Sequence, residues 1–159
     1  MKCGFYYERK LRNRGFNIII GVDEVGRGPL AGPVVAAAAL ILKSRFKNRI
    51  DDSKKLNASS REKSYQELLG KSLFGIGVVS EKVIDRFNIE NATIMAMKKA
   101  VESLISKLNP RTRKRIHILV DGRVKLDVGL ARTNIIKGDA KSKSIASASI
   151  IAKVTRDRM

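Results

Sequence analysis

The feature that most limits the fold is the run Ile18-Ile19-Ile20-Gly21-Val22, an uncharged stretch rich in β-branched side chains that ends on adjacent acids, Asp23-Glu24. Gly15 stands ahead of it and stops a basic helix expected over residues 5–14. So short an apolar run, bounded in this way, reads as a buried strand. The pattern recurs at residues 116–120, which end on Asp121-Gly122, and at residues 133–136, which end on Lys137-Gly138-Asp139.

The rest of the chain alternates around these strands. In residues 34–42 the alanines favour helix, while the flanking Gly-Pro and the paired valines favour strand; the run is taken as a strand of small side chains lying under a helix. Asn57-Ala58-Ser59-Ser60 offers N-caps to a helix reaching about residue 69, and a strand is expected over residues 74–79. Ile94, Met97, Val101, Leu104 and Leu108 predict a helix over residues 89–108, closed by Asn109-Pro110. A small-residue helix over residues 142–158 closes the chain, and residues 43–57 and 111–115 are expected to be the most flexible. With no repeat and no linker, residues 1–159 form one α/β domain around a mixed five-stranded sheet, with residues 1–16 as a basic helical lead-in.

Charge narrows the partner. The 33 Lys and Arg outnumber the 15 Asp and Glu, a net charge of +18 spread along the whole chain. Such a field attracts polyanions: nucleic acid first, with ribosomal RNA or an anionic membrane satisfying the same arithmetic. A lone cysteine, Cys3, excludes a disulfide framework, and a lone histidine, His117, excludes zinc-ligand spacing. His117 precedes its strand end by nearly a strand length and receives no catalytic role. No signal-like or membrane-spanning run is present, so a soluble, cytoplasmic, monomeric protein is expected.

Three predicted strands thus end in acids beside glycine or another acid. Ligands of open α/β sheets collect at the carboxyl ends of strands, where residues remote in sequence converge. Converging carboxylates repel one another, and a divalent cation relieves that repulsion; ligands that are all oxygen point to Mg²⁺ or Mn²⁺. A basic surface around an acidic centre is the composition of a metal-dependent nuclease. A single Asp-Gly is more often just a turn.

The block Gly21-Val22-Asp23-Glu24-Val25-Gly26-Arg27-Gly28-Pro29-Leu30-Ala31-Gly32-Pro33 resembles the opening signature of the ribonuclease HII family, with Val25 where alanine is more usual. Asp52-Ser53-Lys54-Lys55-Leu56, Asn88-Ile89-Glu90-Asn91-Ala92-Thr93, Val120-Asp121-Gly122, Lys137-Gly138-Asp139-Ala140 and the stretch from Ser144 to Asp157 resemble later family blocks in the same order. The resemblance implies an RNase H-like fold whose catalytic, metal-binding carboxylates are Asp23, Glu24, Asp121 and Asp139, holding two divalent ions. It implies substrate contacts from Gly26-Arg27-Gly28 to the ribose 2′-hydroxyl and its phosphate, and from Lys54 or Lys55 to phosphate. Lys153 either faces the site or is an exposed helical lysine. The activity implied is incision of the RNA strand of RNA·DNA hybrids, or 5′ to a ribonucleotide embedded in DNA, leaving 5′-phosphate and 3′-hydroxyl ends.

The sequence stops at Arg156-Asp157-Arg158-Met159 without a helix stop signal. Family members continue with a Tyr-Pro-x-Tyr-Gly type of segment and further helices, so a truncated C-terminus and weaker duplex affinity are expected. A sliding-clamp partner is left open. Two rival readings stand beside the nuclease: a non-catalytic domain that binds hybrid or duplex nucleic acid, and a related nuclease acting on DNA junctions.

Overall fold

The computed structural model describes residues 2–28 and 31–159, so the Pro29-Leu30 part of the glycine-proline turn lies outside the described residues. Its elements run α1 (Tyr6–Asn13), β1 (Ile18–Val25), β2 (Val34–Ile41), α2 (Ala58–Lys71), β3 (Ser72–Val79), α3 (Glu81–Ile105), β4 (Ile116–Asp121), β5 (Ala131–Ile135) and α4 (Lys143–Asp157). The strands form one five-stranded sheet in the order β3-β2-β1-β4-β5. The β1–β2 and β2–β3 pairs are antiparallel, and β1–β4 and β4–β5 are parallel, so the sheet is mixed as the sequence predicts.

Strand alternation divides the core into two layers. Ile20 and Val22 of β1, Ile116, Ile118 and Val120 of β4, and Val34, Ala36, Ala38 and Leu40 of β2 pack with Ala96, Met97, Ala100 and Leu104 of α3. On the other face Ala37 and Ala39 pack with Leu68 of α2 and with Ala148, Ile151 and Ala152 of α4. All eight residues of β2 are buried. Covered on both faces by helices, an alanine run makes a strand because its small side chains let each helix close down on the sheet.

Gly21 shows how tight that closure is. A Cβ placed there would lie 2.1 Å from the backbone carbonyl carbon of Ser144, in the first turn of α4. On the opposite face, a Cβ at Gly77 of β3 would lie 1.9 Å from the carbonyl oxygen of Ala96 on α3.

Two expectations need correction. The helix expected from residue 89 begins at Glu81 and is interrupted at Asn88, whose φ of 67° and ψ of 168° are not helical. The Asn88 side chain accepts from the Asn91 N–H at 3.0 Å and caps the second part. The first part carries charged residues at Lys82, Asp85 and Arg86, which hide its periodicity. Residues 43–57 are not a loose connection: Ile50, Ser53 and Leu56 are buried, and Arg61 of α2 donates to the carbonyls of Ser53 and Leu56. Residues 111–115, the other stretch expected to be flexible, form an exposed 3-10 helix, Pro110–Arg115, capped by Asn109.

Because the Gly21 contact is backbone against backbone, Gly21→Ala cannot be relieved by a rotamer change. It is expected to destabilise by about 3 kcal/mol, lowering Tm by about 6–12 °C. A Cβ added to Gly70 in α2 would meet nothing within 4 Å among the described residues, so Gly70→Ala should instead raise stability by about 0.5–1 kcal/mol. Thermal denaturation of the two variants checks both signs.

Candidate active site

Asp23 and Asp121 come together because β1 and β4 are parallel neighbours in register, with Val22 opposite Val120. The next residue of each strand is the acid, and both acids face the α4 side, since the residues before them, Val22 and Val120, face α3. Asp139 arrives from the turn between β5 and α4. Lys137 takes a left-handed conformation there (φ 53°, ψ 43°), and the 3-10 turn Gly138–Ala140 follows. Asp121 Oδ1 accepts from the Gly138 N–H at 2.6 Å and from the Asp139 N–H at 3.3 Å, tying this turn to the end of β4.

Carboxylate oxygens of Asp23, Asp121 and Asp139 all lie within 4.8 Å of one another. Glu24 follows Asp23 directly, and its charge acts on Asp23 while that of Asp121 acts on it. Its Oε1 is 3.5 Å from Arg27 Nη1, and its Oε2 is buried without a hydrogen-bond partner among the described residues. Three of the four predicted carboxylates therefore form one cluster, and the fourth lies at its edge.

The cluster is electrostatically costly. Burial, followed by the charges of Glu24, Asp121 and Asp139, pushes the Asp23 carboxyl well above the usual carboxylate range. Burial and then Asp121 and Asp52 push Asp139 up to about 6. Asp121 is raised by burial against the backbone N–H donors of Asp139 and Gly138, and Glu24 by burial against the Arg27 guanidinium. Oxygen donors close together, buried, mutually repelling and including one orphaned oxygen are the donor set that suits a hard divalent cation.

The predicted substrate-contacting residues divide. Gly26 has φ 104°, and a Cβ there would stand 2.5 Å from the Pro33 carbonyl oxygen, so the turn after the acids requires glycine. A Cβ on Gly28 would meet nothing within 4 Å among the described residues. Arg27 is 42% exposed and lines a cleft of about 380 Å³ together with Asn91, Thr93, Arg123 and Lys125. The charge of Lys54 reaches Asp121 and Asp139, whereas Lys55 turns to Asp51 at 3.7 Å. Lys153 is not brought to the cluster: its Nζ pairs with Asp157 at 2.7 Å, one turn along α4.

Two residues near the site escape a reading of the sequence. Asp52 stands beside Asp139 and raises its pKa; it belongs to the Asp52-Ser53-Lys54-Lys55 block, in which the lysines are the more obvious phosphate ligands. Arg156 donates from Nε to the Pro33 carbonyl at 3.1 Å and from Nη2 to the Ala31 carbonyl at 3.4 Å, bracing the glycine turn from α4. Nothing local in the sequence signals that contact.

A family model described as Ribonuclease HII matches residues 20–159. Ribonuclease HII of Desulfotalea psychrophila is 49% identical over 97% of the chain and 67% of the relative, and that of Bacillus cereus is 49% identical over 96% of the chain and 57% of the relative. The crystal structure of ribonuclease H2 from Pyrococcus horikoshii superposes with a TM-score of 0.68 at 32% identity, covering 89% of this chain and 72% of that one. The chain thus spans between 57% and 72% of the length of these three proteins. A match that begins inside β1, takes in every strand and runs through α4 assigns the chain to the ribonuclease HII family of ribonuclease H enzymes.

Proposed function

We propose that this chain hydrolyses the RNA strand of RNA·DNA hybrids and incises DNA duplexes 5′ to an embedded ribonucleotide, leaving 5′-phosphate and 3′-hydroxyl ends. Removal of ribonucleotides and processing of primers during DNA replication and repair are the roles that follow. The observation that carries this reading is the gathering of Asp23, Asp121 and Asp139 oxygens within 4.8 Å, at adjacent strand ends, in a chain of net charge +18.

Asp23, Asp121 and Asp139, with Glu24 at their edge, are the residues that would hold Mg²⁺ or Mn²⁺, two ions in all. When bound, such ions polarise the phosphate and lower the pKa of water. The chain's own groups do the rest. Backbone at Gly26 and Gly28 approaches the ribose closely enough to read a 2′-hydroxyl, which a deoxyribose lacks. Arg27 lies between Glu24 and the basic cleft, so its guanidinium orients that acid on one side and meets backbone phosphate on the other. Lys54 offers a cation to phosphate beside Asp121 and Asp139.

A DNA duplex carrying one ribonucleotide, incubated with Mg²⁺ or Mn²⁺ and then with EDTA, tests the activity directly. Metal-dependent incision 5′ to the ribonucleotide supports it; binding without incision favours a nucleic-acid-binding domain instead. Asp23→Asn and Asp121→Asn should each lower the incision rate by more than about 100-fold, beyond the loss typical of groups that only orient a ligand. Hybrid affinity measured in EDTA should stay near that of the parent chain, and retained cutting in both variants sinks the assignment.

If Lys54 meets phosphate, Lys54→Ala should reduce the slope of log affinity against log salt by about one, while Lys153→Ala leaves it unchanged. Fluorescence anisotropy across a salt series reads this.

The acids also predict a pH effect. The Asp139 carboxyl has its pKa raised by folding to about 6, so the folded chain holds that proton more tightly than the unfolded one. Its stabilising contribution is present at low pH and is lost as pH rises from about 4 toward that value. A cation competes for the same oxygens. The rise in Tm produced by Mn²⁺ should therefore be larger at about pH 7.5 than at about pH 5. Equal rises at both values would show that Mn²⁺ binds elsewhere.

A further inference from the structure

Residues 3–8 are bonded to residues 139–144 by a set of contacts that the chemistry above does not use. Gly4 forms an isolated parallel bridge with Ser142: its N–H donates to the Lys141 carbonyl at 3.1 Å, and its own carbonyl accepts from the Lys143 N–H at 2.9 Å. Cys3 Sγ lies 3.9 Å from the carbonyl oxygen of Asp139 itself. Glu8 of α1 is only 1% exposed, and its Oε1 accepts from Ser142 Oγ at 2.7 Å and from the Ser144 N–H at 2.9 Å.

Helix capping alone does not account for Glu8. Ser142 already caps α4 by accepting from the Ile145 N–H. A smaller polar group could accept from Ser144, whereas Glu8 Oε2 is buried with no hydrogen-bond partner among the described residues. A buried carboxyl oxygen left unsatisfied costs free energy, even at a helix N-terminus whose dipole favours an acid. What Glu8 does is bind the hydroxyl at the end of the Asp139 turn and the first free N–H of α4 with a single oxygen.

The turn is held at its other end as well, where Asp121 accepts from the Gly138 N–H. Asp139 thus sits between two carboxyl anchors, Asp121 before it and Glu8 after it. We propose that Glu8 is a positioning residue for Asp139: it touches no reacting group, but fixes the Gly138–Ala140 turn so that the Asp139 oxygen stays within cation-sharing distance of Asp23 and Asp121. The inference rests on the reading of Asp139 as a cation ligand.

Mn²⁺ titration calorimetry on the full chain tests it. Glu8→Ala should weaken Mn²⁺ binding about tenfold, and Glu8→Gln, whose amide oxygen can accept both bonds, should recover affinity to within about threefold of the parent chain. Affinity for a hybrid duplex in EDTA should not change in either. Leu104→Ala, which loosens the α3 core on the far face of the sheet, controls for general loss of stability and should leave Mn²⁺ affinity unchanged. If Asp139→Asn weakens Mn²⁺ binding while a folded Glu8→Ala binds as the parent does, the inference is overturned. It is equally overturned if Leu104→Ala weakens binding as much as Glu8→Ala. Unchanged affinity in Asp139→Asn would instead bring down the ligand reading on which the inference stands. Should Glu8→Ala fail to fold, Glu8→Gln, which keeps the acceptor but not the charge, is compared with Ser142→Ala, which deletes one of Glu8's two bonds together with the Ile145 cap; Ser142→Ala should lose about threefold, and no loss overturns the inference.

Discussion

The close packing of α4 on Gly21 is the contact on which the rest of the structure depends. Gly21 leaves no side chain between β1 and the first turn of α4, so the helix start lies directly on the strand two residues before Asp23. Asp139, just ahead of that helix, is therefore delivered to the place where β1 and β4 end. Parallel pairing supplies the other half of the arrangement, since only parallel neighbours bring Asp23 and Asp121 out at the same edge. Replace either feature and the three acids, drawn from opposite ends of the chain, have no reason to meet.

That meeting opposes folding. Each carboxyl in the cluster is raised by burial, and Asp23 and Asp139 are raised again by other acids of the cluster, so the metal-free chain pays for the site in stability. The basic groups around it do not neutralise the centre. Arg27 engages Glu24 at the rim, Lys54 reaches Asp121 and Asp139 from one side, and Arg123 and Lys125 line the cleft beyond. A buried negative centre inside a positive surface separates two tasks: the surface attracts the polyanion, and the centre retains a demand for cations that the protein's own side chains leave unmet.

How much of this is legible in the sequence depends on the range of each contact. Strand ends at Asp23, Asp121 and Asp139 can be read locally, because a β-branched run followed by an acid and a glycine is a local signal. The alanine run of β2 is ambiguous by propensity and is settled by burial on both faces, which is a tertiary fact. Asn88 escapes notice as a helix break because its positive φ with extended ψ, a conformation other residues than glycine seldom take, leaves no mark in composition. Asp52, Glu8 and Arg156 are hidden for another reason. Each acts on a segment that is remote in sequence, and an isolated charged residue in a basic chain looks like surface. The family blocks mark Asp52 as part of a segment of interest, but Glu8 lies outside every one of them.

Helix α4 has a further consequence for how recognition and chemistry are joined. Its first turn lies on Gly21, and Arg156 near its end lies on Pro33 and against Gly26. The two ends of α4 therefore touch β1 and the turn that follows it, so the helix links one side of the site to the other. One end fixes the turn that presents Asp139, and the other braces the glycine turn proposed to read the ribose. A rigid helix holding both makes the distance between the carboxylates and the glycine turn a property of secondary structure rather than of loop conformation, so a displacement of α4 would move both together.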